Sequence, residues 1–106
     1  MTHNIVIRPK AEDDLVQIWV HIAKDNPAAA DRVFLAAEKT FQNIAFMPGM
    51  GTPYKSKRSG LKGIRFHPVQ NYPVYLIYYR KIESGIEIVR VLHGHMDRPQ
   101  HLEPDD

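Results

Sequence analysis

The spacing of apolar residues predicts one strand and two helices in the first half of the chain. A β-branched run at residues 5–7 is stopped by Pro9, which predicts an opening strand over residues 3–8. From Pro9 onward, apolar residues recur every three or four positions, as in an amphipathic helix. This first stripe consists of Ala11, Leu15, Ile18 and Ile22, with Trp19 beside it.

A second helix is predicted from about Pro27 to Phe46. Asn26 before Pro27 is a strong start signal, because an Asn side chain can cap the first amides and Pro suits the first helical position. The apolar stripe contains Ala30, Val33, Phe34, Ala37, Phe41, Ile44 and Ala45. Because only two residues separate the helices, we expect an antiparallel helical hairpin.

The second half of the chain predicts a loop and then three strands. Residues 49–63, rich in Gly and basic residues, form the loop. Strands are expected at 64–67, 72–79 and 86–92, the second covered on both faces and the last two joined by a turn at 83–85. Simple alternation would put Ile86, Ile88, Arg90 and Leu92 on one face. The order β-α-α-β-β-β predicts a single α+β domain over 1–98, a helical hairpin on a mostly antiparallel sheet, with a polar acidic tail at 99–106.

Composition narrows the class of protein. The chain has 106 residues, no Cys and a net charge of +2. The absence of Cys excludes disulfides, thiol catalysis and Cys-based metal sites. No apolar run approaches the ~20 residues that span a bilayer, and the N-terminus lacks the apolar middle of a signal peptide. We therefore expect a cytoplasmic protein that needs no membrane.

The charge distribution is one-sided. All 12 acidic residues lie outside residues 39–82, and that segment carries eight basic ones. Such a field attracts a polyanion or an acidic protein segment. The basic residues of the segment are Lys39, Lys55, Lys57, Arg58, Lys62, Arg65, Arg80 and Lys81.

Four stretches together resemble the ParE/RelE superfamily of toxins from bacterial type II toxin–antitoxin modules. They are the opening helix at 9–19, the helix restart at 26–30, the segments 47–51 and 63–65, and the pair 75–79 and 89–97. The likeness spans about residues 4–98. The ending Arg-Val-Leu-His-Gly-x-x-Asp over Arg90–Asp97 is most similar to the ParE branch.

The resemblance implies a growth-inhibiting toxin that uses no cofactor and is held inactive by a cognate antitoxin in a toxin–antitoxin hetero-oligomer. ParE-like members typically poison DNA gyrase, whereas RelE-like members cleave mRNA on the ribosome. A module that has lost its toxicity is a third reading. Antitoxins of type II modules typically wrap an acidic segment over the toxin. This segment could dock as a helix on the helical hairpin or as a strand at the sheet edge. Partner contacts are predicted at Trp19, Phe34 and Phe41.

RNA cleavage without a metal needs a base, an acid and cations that stabilise the phosphorane. The nuclease candidates are Arg65, Arg90 and His93. However, Tyr and Phe are absent after Tyr79, although RelE-like nucleases commonly supply one from this segment. We therefore favour the gyrase-type reading, which is a binding function rather than catalysis. The residues predicted to contact the target are Arg65, Arg90, His93, Asp97, Lys55, Lys57, Arg58 and Lys62.

Structural roles are the alternative for several of these residues. Arg65 and Arg90 can pair with acids such as Glu87 or Asp97 and stitch the sheet together. His93 after a strand is commonly a hydrogen-bonded structural residue. With His95 it offers only two metal ligands, so no metal site is predicted. The four tyrosines at 72, 75, 78 and 79 could stack bases, but a central strand favours core packing.

Overall fold

Two helices cover one face of a five-stranded sheet in the computed structural model, which describes residues 3–55 and 61–94. The helices are α1 (Pro9–Ala23) and α2 (Pro27–Phe46). The strands are β1 (Asn4–Ile7), β2 (Thr52–Pro53), β3 (Arg65–Val69), β4 (Tyr72–Ile82) and β5 (Gly85–His93). Within the described residues, neither helix is long and apolar enough to cross a membrane.

The sheet order is β1-β5-β4-β3-β2. β1 runs parallel to β5, and every other neighbouring pair is antiparallel. The first strand therefore returns to pair with the last, while the rest form a meander. This arrangement confirms the predicted α+β class.

The helices begin where the local sequence signals predict. Pro9 occupies the first turn of α1, and Asn26 caps α2 by accepting a hydrogen bond from Ala29 N at 3.0 Å. A side-chain acceptor at this position satisfies one of the amides that a helix start leaves without a partner. The boundaries of α2 are those predicted from the sequence.

Both faces of the sheet are apolar. The helices bury one face around Leu15, Phe41 and Ile44, which pack against Ile77 and Tyr79. The opposite face carries a second cluster, in which Leu61 and Ile64, just before β3, pack with Tyr78, Val89 and Leu92. The prediction that the middle of β4 is covered on both faces is confirmed for Ile77, Tyr78 and Tyr79.

The predicted alternation along β5 is wrong beyond Ile88. Tyr79 lies opposite Ile88 and Tyr78 lies opposite Arg90, so two steps of β5 match one step of β4. This β-bulge shifts the phase of the strand by one residue. Val91 therefore joins Ile88 under the helices, while Leu92 packs on the other face.

The predicted loop at residues 49–63 contains structure that the sequence did not indicate. A short 3-10 turn at Pro48–Met50 leads into β2, which pairs with β3 through Thr52–Phe66 and Pro53–Arg65. Tyr54 N donates to Ile64 O at 2.8 Å and ties the two ends of the remaining segment together.

Three charged residues form an ion-pair network that links the end of β1 to β5 and β4. They are Arg8, Glu87 and Arg80. Glu87 on β5 accepts from Arg80 Nε on β4 at 2.8 Å and lies 3.1 Å from Arg8 Nε, just after β1. Partial burial favours the neutral acid, but the hydrogen bonds and charges of Arg8 and Arg80 outweigh it. The pKa of Glu87 is therefore lowered.

Glu87 should make stability depend on pH in the acid range. Because its folded pKa lies below the unfolded one, its stabilisation is present above about pH 4.5 and is lost as the pH falls through the folded pKa. We expect wild-type protein to be more stable than Glu87→Gln near neutrality, and the two to converge in acid. Urea unfolding at several pH values measures this, and a difference that stays constant with pH would contradict it.

Candidate functional site

Arg65 supports the 3-10 turn. Its Nη1 donates to Gly51 O at 2.7 Å and lies 3.5 Å from Gly49 O. Both acceptors are neutral backbone carbonyls, and they fix the orientation of the Arg65 guanidinium. The pairing of Arg65 with an acid, one of the alternatives considered from the sequence, is not among the contacts of the described residues.

Tyr79 forms hydrogen bonds to the same turn from its buried side. Its hydroxyl donates to Pro48 O at 2.7 Å and accepts from Gly51 N at 2.9 Å. Burial raises the pKa of the Tyr79 hydroxyl, although the Gly51 hydrogen bond and the Arg65 charge act in the opposite direction. The Tyr79 hydroxyl therefore has a structural role, because it joins β4 to the turn.

Arg90 joins β5 to α1. It binds Asp14 through two hydrogen bonds, Nε to Oδ2 at 2.7 Å and Nη2 to Oδ1 at 2.8 Å. Asp14 Oδ2 also accepts from Val91 N at 3.0 Å, immediately after the bulge. Both side chains are largely buried, with 14% of Arg90 and 12% of Asp14 exposed. The pair therefore fixes the bulge against the helix.

His93 ends β5 beside Tyr75. The two rings lie edge to face with their centroids 5.8 Å apart. The next residue, Gly94, donates its amide to Val74 O at 2.8 Å and continues the pairing with β4. Aromatic packing thus orients a half-buried His93 at the end of the sheet.

The three nuclease candidates do not converge. Arg65 lies opposite Tyr79 and His93 lies opposite Tyr75, with β4 between their strands. Standard sheet spacings put their Cα atoms roughly 16 Å apart. The Arg90 side chain is directed to α1, whereas that of Arg65 is directed to the 3-10 turn. The side chains of Arg65, Arg90 and His93 thus contact three different neighbours, namely the 3-10 turn, α1 and Tyr75.

The basic segment is spread over several surfaces. Lys55 and Lys62 are exposed near the tied ends of the segment between β2 and β3. Lys39 lies on α2, while Arg80 and Lys81 lie near the end of β4. Three other residues predicted to contact the target lie outside the described residues, namely Lys57, Arg58 and Asp97.

The helical hairpin carries an open apolar groove. Its walls include Val16 and Trp19 from α1 and Phe34 from α2. Trp19 is 38% exposed, and its indole Nε1 donates to Asp31 Oδ1 at 2.9 Å. We call the residues Val16, Trp19, Asp31 and Phe34 the hairpin groove.

Phe41 does not belong to this groove. It is 2% exposed and lies in the core between α2 and the sheet. The prediction that Phe41 contacts a partner is therefore wrong for the folded chain, because no partner can reach a side chain that is already covered by its own sheet. Trp19 and Phe34 remain accessible.

Two features of the site were not predicted from the sequence. One is the contact between Asp14 on α1 and Arg90 on β5. The end of α2 and the 3-10 turn expose Phe46, Met47 and Met50, which no periodicity separated from the core. The sequence signal for this exposed surface was the presence of three apolar residues around the Pro-Gly pair that follows α2. No group of three or more potential ligands for a metal ion occurs within residues 3–55 and 61–94.

Comparisons with known proteins agree with this architecture. Residues 5–98 match the family model described as the ParE toxin of the type II toxin–antitoxin system parDE. A curated relative, Putative toxin Y4kP of Sinorhizobium fredii, is 34% identical over 88 residues, which cover 83% of this chain and 84% of that protein.

Two solved structures share the fold at low sequence identity. The chromosomal ParDE system from P. aeruginosa is 17% identical, with a TM-score of 0.69 over 87% of this chain and 96% of that one. The YoeB–YefM complex from Staphylococcus aureus is 18% identical, with a TM-score of 0.55 over 88% and 98%.

These findings define a toxin-type α+β domain with two helices on a mostly antiparallel sheet. The chain belongs to the ParE toxin family of type II toxin–antitoxin systems.

Proposed function

We propose that this toxin stops growth in the cytoplasm by binding DNA gyrase and trapping its complex with cleaved DNA, and that a cognate antitoxin neutralises it. The family match over residues 5–98 carries the proposal, because ParE-like toxins typically poison gyrase. The ending Arg90–His93 within the matched region is similar to the ParE branch.

The geometry of the arginines supports binding over RNA cleavage. Arg65 and Arg90 both make short hydrogen bonds within the chain, of 2.7 Å to Gly51 O and 2.7 Å to Asp14. A nuclease needs such cations near one phosphate, together with an acid and a base. The Cα atoms of Arg65 and His93 lie roughly 16 Å apart, and this separation does not favour a phosphate site shared by both residues.

A supercoiling assay tests the gyrase proposal. Purified toxin should inhibit supercoiling by purified gyrase and cause cleaved DNA to accumulate, and antitoxin added in equal amount should restore supercoiling. Supercoiling that is unaffected by excess toxin would reject the proposal. Expression without antitoxin that leaves growth unchanged would instead favour a module that has lost its toxicity.

The antitoxin partner is supported by the names of the structural neighbours, a ParDE system and a YoeB–YefM complex. The hairpin groove suits an amphipathic partner helix, because Val16, Trp19 and Phe34 present apolar surface beside one carboxylate. An acidic stretch of the same partner would be attracted to Lys55 and Lys62, which are exposed.

Trp19→Ala should weaken antitoxin binding by about thirtyfold. Large aromatic residues at the centre of an interface commonly contribute about 2 kcal/mol, and every 1.4 kcal/mol is a factor of ten. Titration calorimetry with the antitoxin measures the change. Leu35→Ala is the matched control, because Leu35 is 62% exposed on α2 outside the groove. An affinity of Trp19→Ala equal to that of Leu35→Ala would contradict the assignment.

A further inference from the structure

Acidic residues border the hairpin groove on both of its helices. On α1, Glu12 precedes Val16 by four residues. On α2, Glu38 follows Phe34 by four residues, and Asp31 already lines the groove. Residues spaced by four lie on the same side of a helix, so Glu12 and Glu38 extend the two walls of the groove by one turn. We call Glu12, Asp31 and Glu38 the acidic rim.

The antiparallel pairing of the helices brings two of these carboxylates to the same end of the groove. Trp19 Nε1 donates to Asp31 Oδ1 at 2.9 Å across the hairpin and marks the register of the two helices. Seven residues back along α1 from Trp19 is Glu12, and seven residues forward along α2 from Asp31 is Glu38. Seven residues are close to two helical turns, or about 10 Å, so both side chains return to the groove side.

The acidic rim has no ion-pair partner among residues 3–55 and 61–94. Arg8, one turn before Glu12, is directed to Glu87, whose Oε2 lies 3.1 Å from the Arg8 Nε. At the turn between the helices, Lys24 and Asp25 carry opposite charges and offset each other. The rim therefore presents exposed carboxylates whose charge a partner can pair with.

The basic residues of α2 lie on its other flank. Arg32 directly follows Asp31, and Lys39 directly follows Glu38. Each step of one residue turns a helix by about 100°. Arg32 and Lys39 accordingly line a different cleft, which they share with Asn71 of the turn between β3 and β4. Helix α2 therefore separates its charges, with the acids beside the hairpin groove and the bases away from it.

The chemistry of the groove selects the chemistry of its occupant. Its walls are apolar at Val16, Trp19 and Phe34, so the centre of the occupant should be apolar. Its border is negative, so the flanks of the occupant should be positive. Asp31 and Glu38 lie about 10 Å apart along α2, which corresponds to about two turns of a helix laid in the groove. The same negative border would repel an acidic segment.

We propose that the helix which occupies the hairpin groove is a basic amphipathic helix, whose Lys or Arg side chains pair with the acidic rim while its apolar side chains cover Trp19 and Phe34. This proposal rests on the proposed function, in which the occupant of the groove is the cognate antitoxin. The antitoxin then carries two oppositely charged parts, this basic helix and the acidic stretch that is attracted to Lys55 and Lys62.

The double variant Glu12→Gln/Glu38→Gln tests the sign of the charge on the occupant. We expect its association rate with the antitoxin to fall about fivefold at low salt, because charges at a rim act mainly on association. The difference from wild type should shrink as salt screens the charges. Biolayer interferometry at several salt concentrations measures the rates. Thermal unfolding should stay close to wild type, because both carboxylates are exposed.

The control variant is Asp13→Asn/Glu83→Gln. It removes the same net charge from exposed residues that do not line the groove, so its association rate should stay near that of wild type. An association rate of the Glu12→Gln/Glu38→Gln variant that equals the control would overturn the proposal. A rate faster than wild type would also overturn it, since an acidic occupant gains when the rim loses its charge.

Trp19→Ala separates this proposal from the groove assignment on which it rests. If Trp19→Ala weakens antitoxin binding while the Glu12→Gln/Glu38→Gln variant behaves as the control, the groove remains the antitoxin site and only the basic helix is rejected. If neither variant changes antitoxin binding, the groove assignment and the basic helix both fail. Weaker binding by both variants, with slower association for the rim variant, is the result that we expect.

Discussion

Asp14→Ala is expected to lower the free energy of unfolding by about 3–5 kcal/mol, because it leaves the buried guanidinium of Arg90 without its carboxylate. The same change removes the acceptor of Val91 N beside the bulge. Contact between α1 and β5 at this point should loosen. Urea denaturation followed by tryptophan fluorescence reports the loss, since Trp19 lies on the same helix.

Two controls separate this pair from ordinary surface charge. Asp13→Ala removes an exposed carboxylate one residue earlier and should change stability by less than about 0.5 kcal/mol. Asp14→Asn keeps an acceptor for Val91 N but removes the charge, so its effect should fall between the two. If Asp14→Ala were as stable as Asp13→Ala, the pair would not be holding the helix to the strand.

Tyr79→Phe should destabilise the protein by about 2–4 kcal/mol. Removing the hydroxyl leaves the Gly51 amide without its acceptor and Pro48 O without its donor, and each buried group left unsatisfied costs about 1–3 kcal/mol. Thermal and urea unfolding measure the effect. Tyr72→Phe is the matched control on the same strand, and we expect it to change stability little.

Gly51 extends this test. A Cβ at residue 51 would lie within 2.3 Å of Tyr79 Oη, and Tyr79 is fully buried and hydrogen-bonded, so it cannot move aside cheaply. Gly51→Ala and Tyr79→Phe disturb the same contact. Their combined effect should be smaller than the sum of the single effects. Strict additivity would show that the turn and β4 are not coupled through the hydroxyl.

The helices were predictable because their signals are local. Pro9 and the pair Asn26-Pro27 mark the helix starts, and the apolar stripe of α2 is long enough to define its period. The strand β2 was not predictable, because Thr52–Pro53 is too short to show alternation. The bulge in β5 also has no local signal, since the contact of Asp14 with Val91 N comes from 77 residues away.

The sequence identified the candidate basic residues but not the contacts that each of them makes. Arg65 is held by backbone carbonyls, which leave no trace in residue identity. Arg90 pairs with Asp14. Of the two acids considered for it, Glu87 binds Arg8 and Arg80, and Asp97 lies outside the described residues. Several acids were chemically suitable, and only the packing of α1 on β5 selects among them.

Phe34 and Phe41 illustrate the same limit within one helix. They are seven residues apart on one apolar stripe, so periodicity treats them alike. Phe41 lies over the sheet and is buried, while Phe34 faces α1 and is 37% exposed. Periodicity identifies the stripe, but only the packing of the helices on the sheet decides which of its residues are covered.

We propose that this toxin acts by binding gyrase and not by cutting RNA. The most direct measurement adds one toxin preparation to two parallel reactions, purified gyrase with relaxed plasmid and ribosomes translating a reporter mRNA. We predict that plasmid supercoiling stops and cleaved plasmid accumulates while the mRNA stays intact. Cleavage of the mRNA with supercoiling unaffected would contradict the claim.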